Sequence, residues 1–209
     1  MHKIEDDLWE TEPQSPFPGM YTHAYFLKCA EGNVLIYNTS NESDFDWIEE
    51  KGGINIQYLS HRDEVSSSLS SIKKRFNSDL ACHYLEREFA EKFRPVNVVI
   101  EGSQTHFSGI QIIHSPGHTN GSISFLYDSP HGLRYLFTGD TVFYAKNKWN
   151  SLIFPGHDGD KNALIKTLQN YISLEPDLVI SSGSSEPITC TPVTSEEWAN
   201  GINNLISRL

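Results

Sequence analysis

Apolar and polar positions fall in short blocks along this chain, and the blocks switch repeatedly between a period of two and a helical period. Ala24–Cys29 and Val34–Tyr37 are apolar runs around Glu31-Gly32-Asn33 and predict a hairpin. Asp44–Glu50 reads as a short acidic helix and Ile54–Leu59 as a strand. Ser66–Phe76 carries Leu69, Ile72 and Phe76 at helical spacing. A strand over Leu80–His83, a helix over Leu85–Phe93 and a strand over Val96–Ile100 follow. Ile110–His114, Ile123–Tyr127 and Leu133–Phe137 then read as paired strands. Lys161–Leu174 gathers Leu164, Ile165, Leu168 and Ile172 on one helical face, and Leu178–Ser181 is a strand. Ser195 is the expected N-cap of a last helix, Glu196–Leu209, with Trp198, Ile202, Leu205 and Ile206 inward. The order gives two halves, each a sheet with helices, so the sheets should pack face to face with helices outside.

Composition narrows the class without changing that picture. With 209 residues the chain is expected to form one domain over 1–209. A net charge of −11 argues against a nucleic-acid partner and against a polybasic membrane contact. No apolar run reaches membrane-spanning length. The acidic start, MHKIEDDLWETEP, has no apolar core of a signal peptide. Cys29, Cys82 and Cys190 are odd in number and widely spaced, which suggests small buried side chains in a reducing compartment, hence a cytoplasmic protein.

The candidate chemistry lies in two segments. Ile113-His114-Ser115-Pro116-Gly117-His118-Thr119-Asn120-Gly121-Ser122 follows one apolar run, and Leu136-Phe137-Thr138-Gly139-Asp140-Thr141 closes another. Pro116-Gly117 and Gly139 break the strands, so His118 and Asp140 sit at strand ends, where a rigid sheet can hold ligands in fixed geometry. An imidazole and a carboxylate suit a borderline divalent metal.

These segments resemble the metallo-β-lactamase-fold superfamily, which includes glyoxalase II-like and other metal-dependent hydrolases. The resemblance covers nearly the whole chain. It implies an α/β fold, a four-layer αβ/βα sandwich of two mixed sheets, with His118 as a metal ligand and Asp140 in the place of a residue that bridges two metals. The family signature Thr-His-x-His-x-Asp-His-x-Gly-Gly should follow the strand Ile54–Leu59. The chain instead reads Tyr58-Leu59-Ser60-His61-Arg62-Asp63-Glu64-Val65-Ser66-Ser67. In one register His61 matches the second His, Asp63 the Asp and Glu64 the last His. In the other, His61 matches the first His and Asp63 the second. The first is preferred, because Asp63, Val65 and the small pair Ser66-Ser67 then fall in place together. The segment also resembles a divergent branch with His-Arg-Asp-Asp-Val here. The family's last ligand, a His after the strand Leu178–Ser181, is absent from Ser181-Ser182-Gly183-Ser184-Ser185. Pro155-Gly156-His157-Asp158 has the right letters in the wrong place and reads as a surface loop.

The surviving set is His61, Asp63, His118 and Asp140, with Glu64 an additional candidate. It can hold one divalent ion with an open position, zinc first, iron or manganese as alternatives; it is too sparse for two. His61, His118 and Asp140 should therefore converge in one pocket. Asp63 is the candidate catalytic residue if it takes a proton from water instead of ligating. His23 is a candidate substrate-side group, and Tyr144, Trp149 and Phe154 are candidate pocket walls. Three functions compete: a single-metal hydrolase of a small ester, thioester or related acyl compound, a mononuclear-iron oxidoreductase, and a metal-free binding protein. The partner in each case is a small molecule.

Overall fold

A computed structural model describes residues 1–209. The N-terminal half contributes β1 (His2–Glu5), β2 (Leu8–Glu10), β3 (Tyr21–Thr22), β4 (Tyr25–Cys29), β5 (Gly32–Ile36), β6 (Ile56–Tyr58), β7 (Asp79–His83) and β8 (Val98–Ile100). Its helices are α1 (Glu42–Glu50), α2 (Ser68–Phe76) and the short α3 (Arg87–Ala90). The C-terminal half contributes β9 (Gln104–Thr105), β10 (Gln111–His114), β11 (Ile123–Asp128), β12 (Arg134–Gly139), β13 (Phe143–Ala145), β14 (Lys148–Asn150), β15 (Leu178–Ser181), β16 (Gly183–Ser184) and β17 (Cys190–Pro192). Its helices are α4 (Lys161–Tyr171) and α5 (Ser195–Arg208).

Two mixed sheets result, ordered β1-β2-β4-β5-β6-β7-β8 and β17-β15-β12-β11-β10-β9. Period two explains why they stack. On β11, β12 and β15, Phe125, Tyr127, Tyr135, Phe137, Leu178 and Ile180 enter the core shared with the first sheet. The alternate residues Leu126, Leu136 and Val179 face the other way, onto Leu164, Leu168 and Tyr171 of α4 and Trp198, Ile202 and Leu205 of α5. On the far side Leu80 and Cys82 pack under Leu69 and Ala90. These are the layers of the αβ/βα sandwich, and both sheets deliver their parallel strand ends to one edge. No helix is long and apolar enough to cross a membrane.

Two expectations need correction. The helix expected over Leu85–Phe93 is a 3-10 turn, Tyr84–Glu86, followed by only Arg87–Ala90. The irregularity falls at Glu86, whose carboxylate turns inward to bond Arg62 and Thr119. The last helix is capped by Thr194, not Ser195, because only Thr194 puts a glutamate, Glu197, at the reciprocal position of a capping box. The start of the chain, for which the sequence pattern gave no element, forms β1 and β2, which pair and extend the first sheet through β4. Thr194→Ala should lower stability by about 1 kcal/mol in denaturant unfolding, with Thr194→Ser close to neutral.

Candidate metal centre

Three strand ends supply the polar cluster. After β6 the chain turns through a single 3-10 turn, Arg62–Glu64, with His61 extended at its start (φ −162°, ψ 172°). His118 lies in the turn between β10 and β11, and Asp140 directly follows β12. Gly117 has φ +147°, and a Cβ there would lie 2.6 Å from the Leu164 Cα of α4. This turn therefore needs glycine to lie flat on the helix and aim His118 inward.

The structure brings His61, Asp63, His118 and Asp140 together. His61 Nε2 is 3.6 Å from Asp140 Oδ2, and His118 Nε2 is 4.0 Å from the same oxygen. His118 Nε2 is 3.3 Å from Asp63 Oδ2, and the two rings meet edge to face at 4.5 Å. One ligand atom from each of His61, Asp63 and His118 lies within 4.8 Å of the other two.

The far side of each ring fixes its proton. His118 Nδ1 is 3.0 Å from the Leu152 carbonyl, so it donates, and Nε2 carries the lone pair. That Nε2 is buried, has no hydrogen-bond partner and faces two carboxylates. His61 Nδ1 is 2.8 Å from Ser60 Oγ, whose own proton goes to Glu64 Oε1. A lone pair at His61 Nε2 therefore faces Asp140. Two lone pairs pointing into carboxylates need a cation between them, either protons or a metal ion. The donor set and the orphaned Nε2 of His118 fit a divalent ion, with outer groups that orient the imidazoles.

Charge tells the same story. Burial alone would lower the pKa of His61, but Glu64 and Asp140 outweigh it and hold it well above the usual histidine range. Burial would raise that of Asp140, yet His61, His118 and the Ser182 hydroxyl keep it well below the carboxylate range. Asp63 is likewise lowered against its burial, by His118 and His61 and by His157.

Glu64 is not where a ligand would be. It lies three residues after His61, and in a 3-10 turn side chains at that spacing eclipse. Its Oε1 is 3.3 Å from His61 Nδ1, behind the ring, and its Oε2 accepts from the Ser60 amide at 2.9 Å. Glu64 therefore orients His61. The first register gave Glu64 a ligand's place; this geometry favours the second, with His61 and Asp63 matching the two His of His-x-His. At the opposite rim, where the last His is missing, Ser182 Oγ donates to Asp140 Oδ1 at 2.6 Å. That bond turns Oδ1 toward the Ser182 rim and leaves Oδ2 as the oxygen that faces both imidazoles.

His157 is not a simple surface residue. The turn Pro155–His157 folds back over the cleft, with His157 Nδ1 2.9 Å from Asp63 Oδ1 and its ring stacked on Phe154 at 5.4 Å. The cleft encloses about 1290 Å³, with Phe17, Met20, Phe143, Leu152 and Phe154 among its apolar walls. Tyr144 and Trp149 pack instead toward α5, in the outer core. His23 lines the cleft, but both ring nitrogens face backbone carbonyls, Thr11 at 2.9 Å and Pro187 at 3.0 Å.

Sequence reading missed the residues that position the donors. Leu152, Ser182 and Tyr37 are the main ones. Tyr37 is buried at a left-handed φ of 70°, a strained place for a large side chain. Its hydroxyl accepts from the Gly139 amide and donates to the Ile180 carbonyl, each at 2.9 Å. It fills the gap where β12 and β15 slip register between Phe137 and Gly139.

Comparison with known proteins assigns the family. The model of the metallo-beta-lactamase superfamily matches residues 40–183, more than half of the chain. The chain belongs to the metallo-beta-lactamase superfamily. It is similar to an N-acyl homoserine lactonase of Bacillus sp, 32% identical over 82 residues, which is 39% of this chain and 33% of that protein. A probable metallo-hydrolase of Methanocaldococcus jannaschii is 37% identical over 67 residues, 30% of each chain. The matches span about a third of the length of these curated relatives. Among solved structures, a metallo-beta-lactamase from Pontibacter korlensis superposes with a TM-score of 0.74 at 17% identity, covering 98% of this chain and 95% of that one. TTHA1623, solved in a di-iron-bound form, gives 0.68 at 23% identity, covering 91% and 98%. At these identities the structural likeness speaks to the fold.

Proposed function

We propose that this chain is a mononuclear metal-dependent hydrolase of an ester, thioester or related acyl compound. The observation that carries the reading is the buried, unpartnered Nε2 of His118, facing Asp63 and Asp140 across from His61. His61, Asp63, His118 and Asp140 would hold one ion, zinc first. The ion supplies Lewis acidity, polarising a carbonyl and acidifying water. The chain's own groups do the rest. Leu152 and Ser60 keep both imidazoles in the ligating tautomer. Ser182 turns one oxygen of Asp140 toward its own rim, which supports a single ion over a bridged pair. His157, stacked on Phe154, reaches Asp63 Oδ1 from the rim of the cleft, where Asp63 stays exposed. The cleft, about 1290 Å³, exceeds what a minimal ester needs and suits a substrate with a sizeable acyl or leaving group.

Elemental analysis together with an ester, thioester and lactone panel tests this. One zinc or manganese per chain with turnover is the expected result; two ions at full occupancy would refute the mononuclear centre. Asp63→Asn should release the ion, since Asp63 contributes a donor to the cluster. Retained metal with activity down about 10²–10⁴-fold would make Asp63 the proton acceptor instead. Wild-type activity with retained metal would leave it neither role.

A second reading is favoured by the same trio. Two imidazoles and one carboxylate, His61, His118 and Asp63, are also a donor set of non-haem iron. Iron in the isolated protein with no turnover on the panel would favour an oxidoreductase.

A further inference from the structure

Arg62 lies between His61 and Asp63, yet it does not line the cleft they enter. Its guanidinium runs the other way, to Glu86, with Nε 2.6 Å from Oε2 and Nη2 3.1 Å from Oε1. The same Oε1 accepts from Thr119 Oγ1 at 2.8 Å, and Thr119 is the residue after His118. Arg62 Nη2 also reaches Asn120 Oδ1 at 2.6 Å, and its plane stacks on Phe89 at 4.3 Å. A Cβ at Gly121 would collide with the Glu86 carboxylate, so the turn beyond His118 rests directly on it.

Burial makes this pair unusual. Glu86 is 1% exposed and the Arg62 side chain 9%. Two charges out of water return little net stability even when well bonded, so a buried pair of this kind is better understood as fixing one arrangement. The arrangement here concerns two turns from two different sheets. One carries His61 and Asp63, the other His118. No backbone ladder joins them near the cluster except the Ile123 amide on the Ser60 carbonyl, at 2.9 Å.

We propose that Glu86 is a positioning residue of the metal centre, acting through Arg62 and Thr119 to set the spacing between the His61–Asp63 turn and His118. The proposal deepens the metal-centre reading and rests on it for the metal-binding part. Glu86 touches neither cluster nor cleft. It fixes the angle at which the donors converge, as the bidentate fork of Arg62 demands and a lysine could not. The pair Arg62–Asp158, with Nη1 3.3 Å from Oδ2, extends the same clamp to the turn that carries His157.

The test uses Co(II) as probe and the full chain. Glu86→Gln and Arg62→Lys should each weaken Co(II) binding by about 10–100-fold, the usual cost of losing an outer partner, and shift its visible absorption bands. Because either variant leaves a buried charge poorly paired, the double variant Arg62→Met with Glu86→Leu guards against simple unfolding. It should keep a cooperative unfolding transition while showing the same weakened, altered Co(II) spectrum. In parallel, ¹⁵N spectra of the histidine rings without metal should show His61 and His118 displaced in Glu86→Gln, and His2 and His131 unmoved. Folded variants with Co(II) affinity within about twofold of wild type and unchanged ring signals would overturn the proposal. A wild type that takes up no Co(II) would instead sink the metal centre, and the ring signals would still decide whether Glu86 sets the geometry.

Discussion

His118→Ala is expected to abolish both metal uptake and turnover. The imidazole is the most deeply buried donor of the cluster, and its Nε2 has no other partner. Its removal leaves Asp140 facing His61 alone and Asp63 paired only with His157 at the rim of the cleft. Loss of an outer partner alone costs about 10–100-fold in metal affinity, so loss of the donor itself should exceed that range. Equilibrium dialysis against zinc and assay on the acyl panel measure it. Folded His118→Ala protein with wild-type activity would remove the metal mechanism altogether and bring forward the metal-free binding protein.

Gly117→Ala should be nearly as damaging through a different route. At φ +147° an alanine is strained, and its methyl would meet the backbone of α4 at Leu164, which cannot rotate aside. The turn must lift from the helix. The expected stability loss is about 2–4 kcal/mol, combining strain and overpacking. His118 would move with the turn, so metal affinity should fall in protein that remains folded. Denaturant unfolding and dialysis on the same preparation separate the two losses. A variant with wild-type stability and affinity would mean that the Gly117 contact with α4 does not hold the turn.

How far the sequence was legible depended on range. His118 and Asp140 stood out because Pro116-Gly117 and Gly139 mark strand ends, and strand ends are where the cluster forms. Ile123–Tyr127 and Leu133–Phe137 were legible as paired strands, and their continuous apolar runs match strands buried on both faces. Spacing alone does not say that Arg62–Glu64 is a 3-10 turn, which places Glu64 beside His61 Nδ1. His157 precedes α4 in sequence, and what folds its turn back over the cleft are distant contacts, the Asp160 amide on the Gly117 carbonyl and Arg62 on Asp158. Leu152, Ser182, Tyr37 and Glu86 carry no local signal, since their partners are far along the chain. The hairpin of β13 and β14 hid behind a lysine: Lys146 and Asn147 both have positive φ, a turn usually announced by Asn-Gly. The Thr194 cap, by contrast, was readable, because Glu197 stands where a capping box requires it.

The Tyr37 hydroxyl has a consequence for how this protein can vary. It joins the end of β5 in one sheet to the Gly139 amide and the Ile180 carbonyl in the other, one residue before Asp140. The ring that carries it packs edge-on against Phe137 and Tyr25. A change in the width of the central core is thus transmitted through a rigid phenol to the carboxylate that faces both imidazoles. Residues remote from the cleft and residues within it are not independent sites of mutation. Drift at Phe137 or Tyr25 would have to be matched by compensating change at Tyr37, and a lineage that lost this hydroxyl would have to anchor Asp140 anew before its interior could diverge.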